Sequence, residues 1–180
     1  MVPDRFSLAG RTAVVVGGAG GIGRAIAEGF AEAGATVVVA DLAEAPCAAV
    51  AEAICAAGGR AMARRLDICD EPMVDALFAE VVHRFQRVDV LVNSAGTTRR
   101  APAVDVTRAD WETVMAVNTT GFFLASRAAA RHMIAAGGGS IINLASIMGL
   151  SGGGLYPNIS YQTSKGAVVN MTRSLALEWA

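Results

Sequence analysis

Two kinds of hydrophobic pattern alternate along this chain. Short, nearly unbroken apolar runs rich in β-branched residues occupy 12–16, 36–40 and 88–92, with weaker ones at 61–66 and 140–145. Between them, apolar positions recur at helical spacing. Strands without polar alternation are buried on both faces, the mark of a parallel sheet covered by helices. The punctuation agrees. A helix over 24–31 stops at Gly34; another begins near Pro46 and ends at Gly58-Gly59. Asp70, followed by Glu71-Pro72, caps a helix running to about Phe85. Thr107 and Asp110 have the spacing of a capping box, with a shorter carboxylate than usual. They open one long helix through Trp111, Met115, Asn118, Phe122 and Met133, closed by Gly137-Gly138-Gly139. A glycine-rich loop over 149–160 leads into a last helix that continues to the end of the chain. No repeat, low-complexity tract or linker interrupts the pattern. The reading is one doubly wound α/β domain over residues 1–180 with a five-stranded parallel sheet.

Composition narrows the function more than the fold. The chain has 180 residues and is 53% hydrophobic, yet no apolar run approaches the ~18 residues of a membrane span. Its first residues carry neither a basic segment nor an apolar one of the signal-peptide kind. A net charge of −1 provides no basic footprint for nucleic acid or membrane lipid. Cys47, Cys55 and Cys69 lack CxxC spacing and read as thiols in a reducing, cytoplasmic setting. His83 and His132 have no ligand-spaced companions, so no metal site is expected.

The chemistry lies at strand ends. Gly17, Gly21, Ile22 and Gly23 form a GxxxGxG turn between the first strand and the first helix. A glycine leaving a strand permits a tight turn. Later ones let backbone approach a phosphate, with the helix N-terminus offering N–H donors. Asp41 ends the second strand, where a carboxylate can accept from ribose hydroxyls and repel a 2′-phosphate; this favours NAD(H) over NADP(H). Asp67-Ile68 follows the third strand and could reach an adenine edge. Tyr161 and Lys165 stand four apart at the start of the last helix, on one face. A free phenol titrates near pH ~10, and a neighbouring ammonium draws it towards neutrality, so the pair could exchange a proton with a substrate oxygen. Taken singly, each feature has a plainer reading: a loop aspartate, a flexible turn, a solvated Tyr/Lys pair. Asn93 could satisfy loop backbone, Ser146 could cap a turn, and Asn118 could bond between helices.

In order, these marks resemble the short-chain dehydrogenase/reductase family over essentially the whole chain. They are GxxxGxG after strand one, Asp41 after strand two, Asp67-Ile68 after strand three and Asn93-Ser94-Ala95-Gly96 after strand four. Asn118 then lies in mid-helix, Ser146 follows strand five, and Tyr161-x-x-x-Lys165 opens the next helix. The resemblance implies a Rossmann-like sheet of strand order 3-2-1-4-5 and hydride transfer between NAD(H) and an alcohol or carbonyl compound. Tyr161 would be the general acid/base, with Lys165 lowering its pKa and binding the nicotinamide ribose. Ser146 would hold the substrate oxygen, and Asn118 would interrupt its helix to hold a water linked to Lys165. Asn93, Ala95 and Gly96 would pass close to the cofactor.

Val16 stands where the family usually has threonine, and Ser94 where it has a second asparagine. Family members continue through two further strands, the usual strands 6 and 7, whereas this sequence stops at Ala180. The corresponding expectations are an exposed edge at strand five and an uncovered last-helix face at Val168, Met171 and Leu175. Residues 1–180 alone would then bind NAD weakly, show no turnover and self-associate, through that edge or through the long helices. A non-catalytic, nucleotide-binding regulatory protein that keeps the fold, or an inactive fragment of such an enzyme, is the alternative reading.

Overall fold

The computed structural model describes residues 4–152 and 156–180; residues 153–155 of the glycine-rich loop and Met1 to Pro3 lie outside the described residues. Five parallel strands form one sheet: β1 (Thr12–Val16), β2 (Thr36–Asp41), β3 (Arg60–Arg65), β4 (Val90–Asn93) and β5 (Ser140–Asn143). Their spatial order is β3-β2-β1-β4-β5. The helices are α1 (Gly21–Glu32), α2 (Glu44–Ala56), α3 (Glu71–Phe85), α4 (Arg108–Met115), α5 (Phe122–Ala135) and α6 (Ile159–Trp179). No described helix is long and apolar enough to cross a membrane.

Alternation along the central strands feeds two cores. Val14 and Val16 of β1, with Val38 and Ala40 of β2, pack under α3, α5 and α6 against Phe78, Phe122 and Val168. Ala13, Val15, Val37 and Val39 face the other way, against α1 and α2 through Ala27, Cys47, Val50 and Ile54. Burial on both faces is why these strands carry no polar alternation. Phe78 and Phe122 are fully enclosed. Truncating such rings to alanine generally costs about 3–5 kcal/mol.

The sheet edges differ. β3 carries Arg60, Arg64 and Arg65, charges of the kind that discourage further pairing. Among the described residues β5 pairs with β4 alone, and Ile142 on it is 42% exposed. At the amino end of the sheet, Asp89 is 6% exposed and takes bonds from Arg11, Arg87 and the Thr12 N–H. Burial would raise its pKa, but these donors outweigh it and hold the carboxyl below its usual range. The β1 entry is thereby tied to the β4 entry.

Several boundaries differ from the sequence reading. β3 starts at Arg60 and β4 ends at Asn93, because the ladder follows the partner strand rather than the apolar run. β5 stops at Asn143, its last partner being Asn93, although the Leu144 N–H still donates to Asn93 O at 2.9 Å. The long helix expected after Thr107 is two helices joined by a π turn, Ala116–Gly121. Widened turns of this kind recur at functional sites. A Cβ at Gly121 would lie 2.8 Å from Ile68 Cγ2, so the turn runs hard against the loop after β3. Thr107 caps α4 by accepting from Asp110 N–H at 3.1 Å, while its hydroxyl donates to the Asp110 carboxylate at 2.8 Å. The expectation that the Val168 face of α6 stands uncovered is corrected. Val168 is fully buried, Met171 packs on the core and Leu175 is half-buried, because that face packs against α5 and the core cluster around Phe122; Leu177 is turned outward, 86% exposed.

Candidate active site

A cleft of about 870 Å³ runs along the carboxyl ends of the strands. In an open parallel sheet this is where the loops diverge and leave room for a ligand. Its walls include Gly17, Gly21, Ile22, Asp41, Asp67, Ile68, Ala95, Gly96, Tyr161 and Lys165. Residues from five separate loops and helices are thus brought to one crevice.

The glycine turn shapes one end. Gly17 has φ +79°, and a Cβ there would sit 2.3 Å from Ala95 N, so the loops after β1 and β4 touch backbone to backbone. Gly23 is walled off from the cleft by the turn itself: a Cβ would meet Gly17 O at 2.1 Å. Its contribution is to let α1 pack on the turn. Gly21 has φ +34° and open space around its α-carbon. The N-cap of α1 is Gly20, with no side chain to satisfy the first N–H groups. Uncapped donors at a helix N-terminus, beside a cleft, suit an anionic ligand such as a pyrophosphate.

Asp41 buttresses this turn, accepting from Ala19 N–H at 3.1 Å and Leu42 N–H at 2.8 Å. Asp67 folds its own loop by accepting from Cys69 N–H at 2.9 Å. Both carboxylates line the cleft as well.

At the other end, α6 presents Tyr161 half-buried and Lys165 only 4% exposed. The Lys165 Nζ donates to Leu144 O at 2.6 Å and lies 4.9 Å from the Phe122 ring centre and 5.7 Å from that of Tyr161. Burial pushes its ammonium down from 10.5 to about 8. The turn carrying Gly149 is pressed onto α6, where a Cβ would come within 2.6 Å of the Lys165 carbonyl.

Four residues singled out in the sequence do not form the cleft wall. Asn118 is fully buried; it accepts from Thr97 N–H at 2.8 Å and donates to Thr97 O at 2.9 Å and Ser164 Oγ at 3.0 Å. Its side chain is a clamp, and the expected interhelical bond is its contact with α6. Ser146 follows the cleft-lining Ala145 and caps a short turn, accepting from Met148 N–H at 3.1 Å. The hydroxyl proton stays available. Asn93 turns away from the cleft, donating to Ser126 Oγ and to Asn143 Oδ1 at 2.8 Å, so its bonds are to side chains rather than to loop backbone. Gly23 is the fourth. Conversely, Leu42, Thr98, Thr113, Val117 and Leu144 line the cleft without having drawn notice. Thr113 and Val117 share a helix face one turn apart, and that spacing was the available signal.

A family model described as short chain dehydrogenase matches residues 11–180. The chain belongs to the short-chain dehydrogenase family. Galactitol 2-dehydrogenase of Rhizobium johnstonii is 42% identical over 178 residues, covering 98% of this chain and 69% of that protein. NAD-dependent glycerol dehydrogenase of Listeria innocua is 37% identical over 175 residues, covering 97% and 67%. Among solved structures, a gluconate 5-dehydrogenase from Burkholderia cenocepacia in complex with NADP and tartrate is 38% identical. It superposes with a TM-score of 0.92 over 98% of this chain and 68% of its own. The chain spans about two thirds of the length of the curated relatives it matches. Short-chain dehydrogenases are oxidoreductases that use a nicotinamide dinucleotide; of the relatives named here, one is NAD-dependent and one was solved in complex with NADP.

The low pKa of Lys165 has a measurable consequence. Between pH about 8 and 10.5 the unfolded chain holds this proton and the folded protein does not, so stability gains with rising pH across that window. Cys47, pushed up to about 11 by burial and then by Asp41, acts in the opposite sense above pH 9. The quantity to read is therefore the difference between the protein and Lys165→Met. In urea unfolding, the advantage of the parent over the variant should grow from pH 8 to pH 10.5; a constant difference would show that the ammonium is not desolvated.

Proposed function

We propose that this protein is an oxidoreductase moving a hydride between NAD(H) and a secondary alcohol or its carbonyl product, the substrate being a polyol or sugar acid. The observation that carries the reading is one cleft with two unlike ends. Uncapped helix N–H donors and Asp41 stand at one end, Tyr161 and the buried Lys165 at the other. The glycine turn would hold the pyrophosphate, Asp41 the adenosine ribose, and Asp67 with Ile68 the adenine edge. Bound there, the dinucleotide supplies the hydride acceptor or donor.

The chain's own residues supply the proton chemistry. Oxidation of an alcohol requires its O–H proton to leave as the carbonyl forms, and Tyr161 takes it as general base; reduction runs the same transfer backwards. Lys165 places positive charge beside that phenol, which favours its anionic form. Ser146, its acceptor side engaged by Met148 N–H, donates its hydroxyl proton to the substrate oxygen and steadies the charge developing on it. Asn118 is a positioning residue: it fixes Thr97 on the cleft wall and Ser164 one residue before Lys165.

The full gene product, mixed with NAD+ and a panel of polyols and sugar acids, should generate the absorbance of the reduced cofactor. Tyr161→Phe keeps the ring and removes the proton carrier, so kcat should fall by about 10²–10⁴-fold with NADH affinity nearly unchanged. A Phe variant retaining most of its kcat would take Tyr161 out of the mechanism.

NAD(H) should bind more tightly than NADP(H). A 2′-phosphate about 5 Å from the Asp41 carboxylate meets repulsion on the order of 3 kcal/mol at an effective dielectric near 20, roughly 10²-fold in Kd. Asp41→Ser should narrow that ratio and also loosen NAD, since the carboxylate braces the glycine turn at Ala19. Equal affinities of the parent protein for both dinucleotides, by titration calorimetry, would contradict this.

A further inference from the structure

Beyond the cleft wall at Thr98, the loop after β4 is joined to the segment entering α6 at two points. The Thr98 hydroxyl donates to Asn158 Oδ1 at 2.8 Å, and Asn158 is only 4% exposed. Two residues on, the Arg100 guanidinium carbon stands 3.8 Å from the centre of the Tyr156 ring. Asn158 precedes Tyr161 by three residues, so this double join sits at the approach to the proposed acid/base. Thr97, in turn, is held through both backbone atoms by Asn118. Arg100 therefore projects from a fixed stem.

Stacking on an aromatic ring occupies the face of a guanidinium and leaves its in-plane N–H donors free. Those donors match a carboxylate, two bonds at a time. Arg99 beside it is already engaged, bonding Thr98 O at 3.0 Å and lying 3.5 Å from Asp110 Oδ1. Arg100 is exposed, and no carboxylate among the described residues pairs with it. One arginine is thus tied into the loop, and its neighbour, two residues beyond the cleft-lining Thr98, is held with one face covered and its edge open.

We infer that Arg100 is a specificity-determining residue that receives the carboxylate of the substrate, so that the enzyme selects sugar acids over the corresponding neutral polyols. This rests on the assignment of Tyr161 to proton transfer. A polyol offers only hydroxyl groups to the guanidinium edge, whereas an acid offers two charged oxygens in the geometry the edge fits. Arg100 acts on binding and orientation and takes no part in the proton transfer.

The test compares D-gluconate with sorbitol, and D-galactonate with galactitol, as matched acid and polyol pairs for the full gene product and for Arg100→Ala. The parent should favour the acid of each pair by on the order of tenfold or more in kcat/KM. Arg100→Ala should raise KM for the acids by about 10–100-fold, leave kcat within about threefold, and leave both polyols unchanged. Arg100→Lys, keeping the charge without the fork, should fall between. A second readout is independent of turnover: L-tartrate binding in the presence of NADH, by calorimetry, should weaken at least tenfold in Arg100→Ala. Equal use of acids and polyols, an unchanged tartrate affinity, or a variant that loses kcat on both substrate classes alike would overturn the inference, the last marking the Tyr156 stack as a loop fastener only. Absence of NAD+ reduction with every alcohol, in a protein that still binds NADH, would fail the Tyr161 assignment first and this inference with it; loss confined to the Arg100 comparison leaves that assignment standing.

Discussion

A single buried amide holds together the half of this molecule that carries Tyr161 and Lys165. Asn118 sits at the π turn between α4 and α5, where the widened backbone carries its side chain towards the loop after β4 and towards α6. Its oxygen and nitrogen close on both backbone atoms of Thr97, and its second N–H reaches Ser164. Three segments remote in sequence are fixed by one side chain with no polar capacity to waste. A buried amide left unpaired would be strongly unfavourable, so the arrangement is close to all-or-none. Ser164 passes the constraint on: its hydroxyl donates to Tyr161 O at 2.7 Å, within the first turn of α6.

The half that carries the glycine turn depends on a different constraint, close backbone approach. Gly17 lies against Ala95, and Gly23 lies against Gly17, at separations that leave no room for a methyl group. These contacts set α1 directly behind the turn, with its N–H groups uncapped beside the cleft. The parallel sheet unites the two halves. With β1 between β2 and β4, the loops carrying Asp41 and Ala95 flank the glycine turn, and the segment after β5 brings Ala145 to the cleft that Tyr161 also lines. Connection order alone places the glycine turn and Asp41 in one crevice with Tyr161 and Lys165.

Much of this was legible in the sequence, for physical reasons that also explain the rest. The strands stood out because β1 and β2 are buried on both faces, so their residues are apolar almost without exception. Asp70 was legible as a cap because its bond to Met73 N–H is local. The direction of a side chain at a strand end is not local. Asn93 looked like a cleft residue by position, yet its side chain crosses to Asn143 on the neighbouring strand and to Ser126 on α5, partners 50 and 33 residues away. The π turn was hidden for a similar reason: apolar spacing runs through it without a break, and the close passage of Gly121 by Ile68 is tertiary. The Thr98–Asn158 bond joins residues 60 apart and leaves no trace in periodicity.

The central claim is that one carbinol group of the substrate loses a hydride from its carbon and a proton from its oxygen in this cleft. A polyol or sugar acid carrying deuterium at its carbinol carbons, incubated with NAD+ and the full gene product, tests it directly. Proton NMR of the recovered NADH should show deuterium at C4 of the nicotinamide on one face only, with the oxidised substrate having lost it. Dinucleotide bound to the protein but recovered without label, across both substrate classes, would contradict the account.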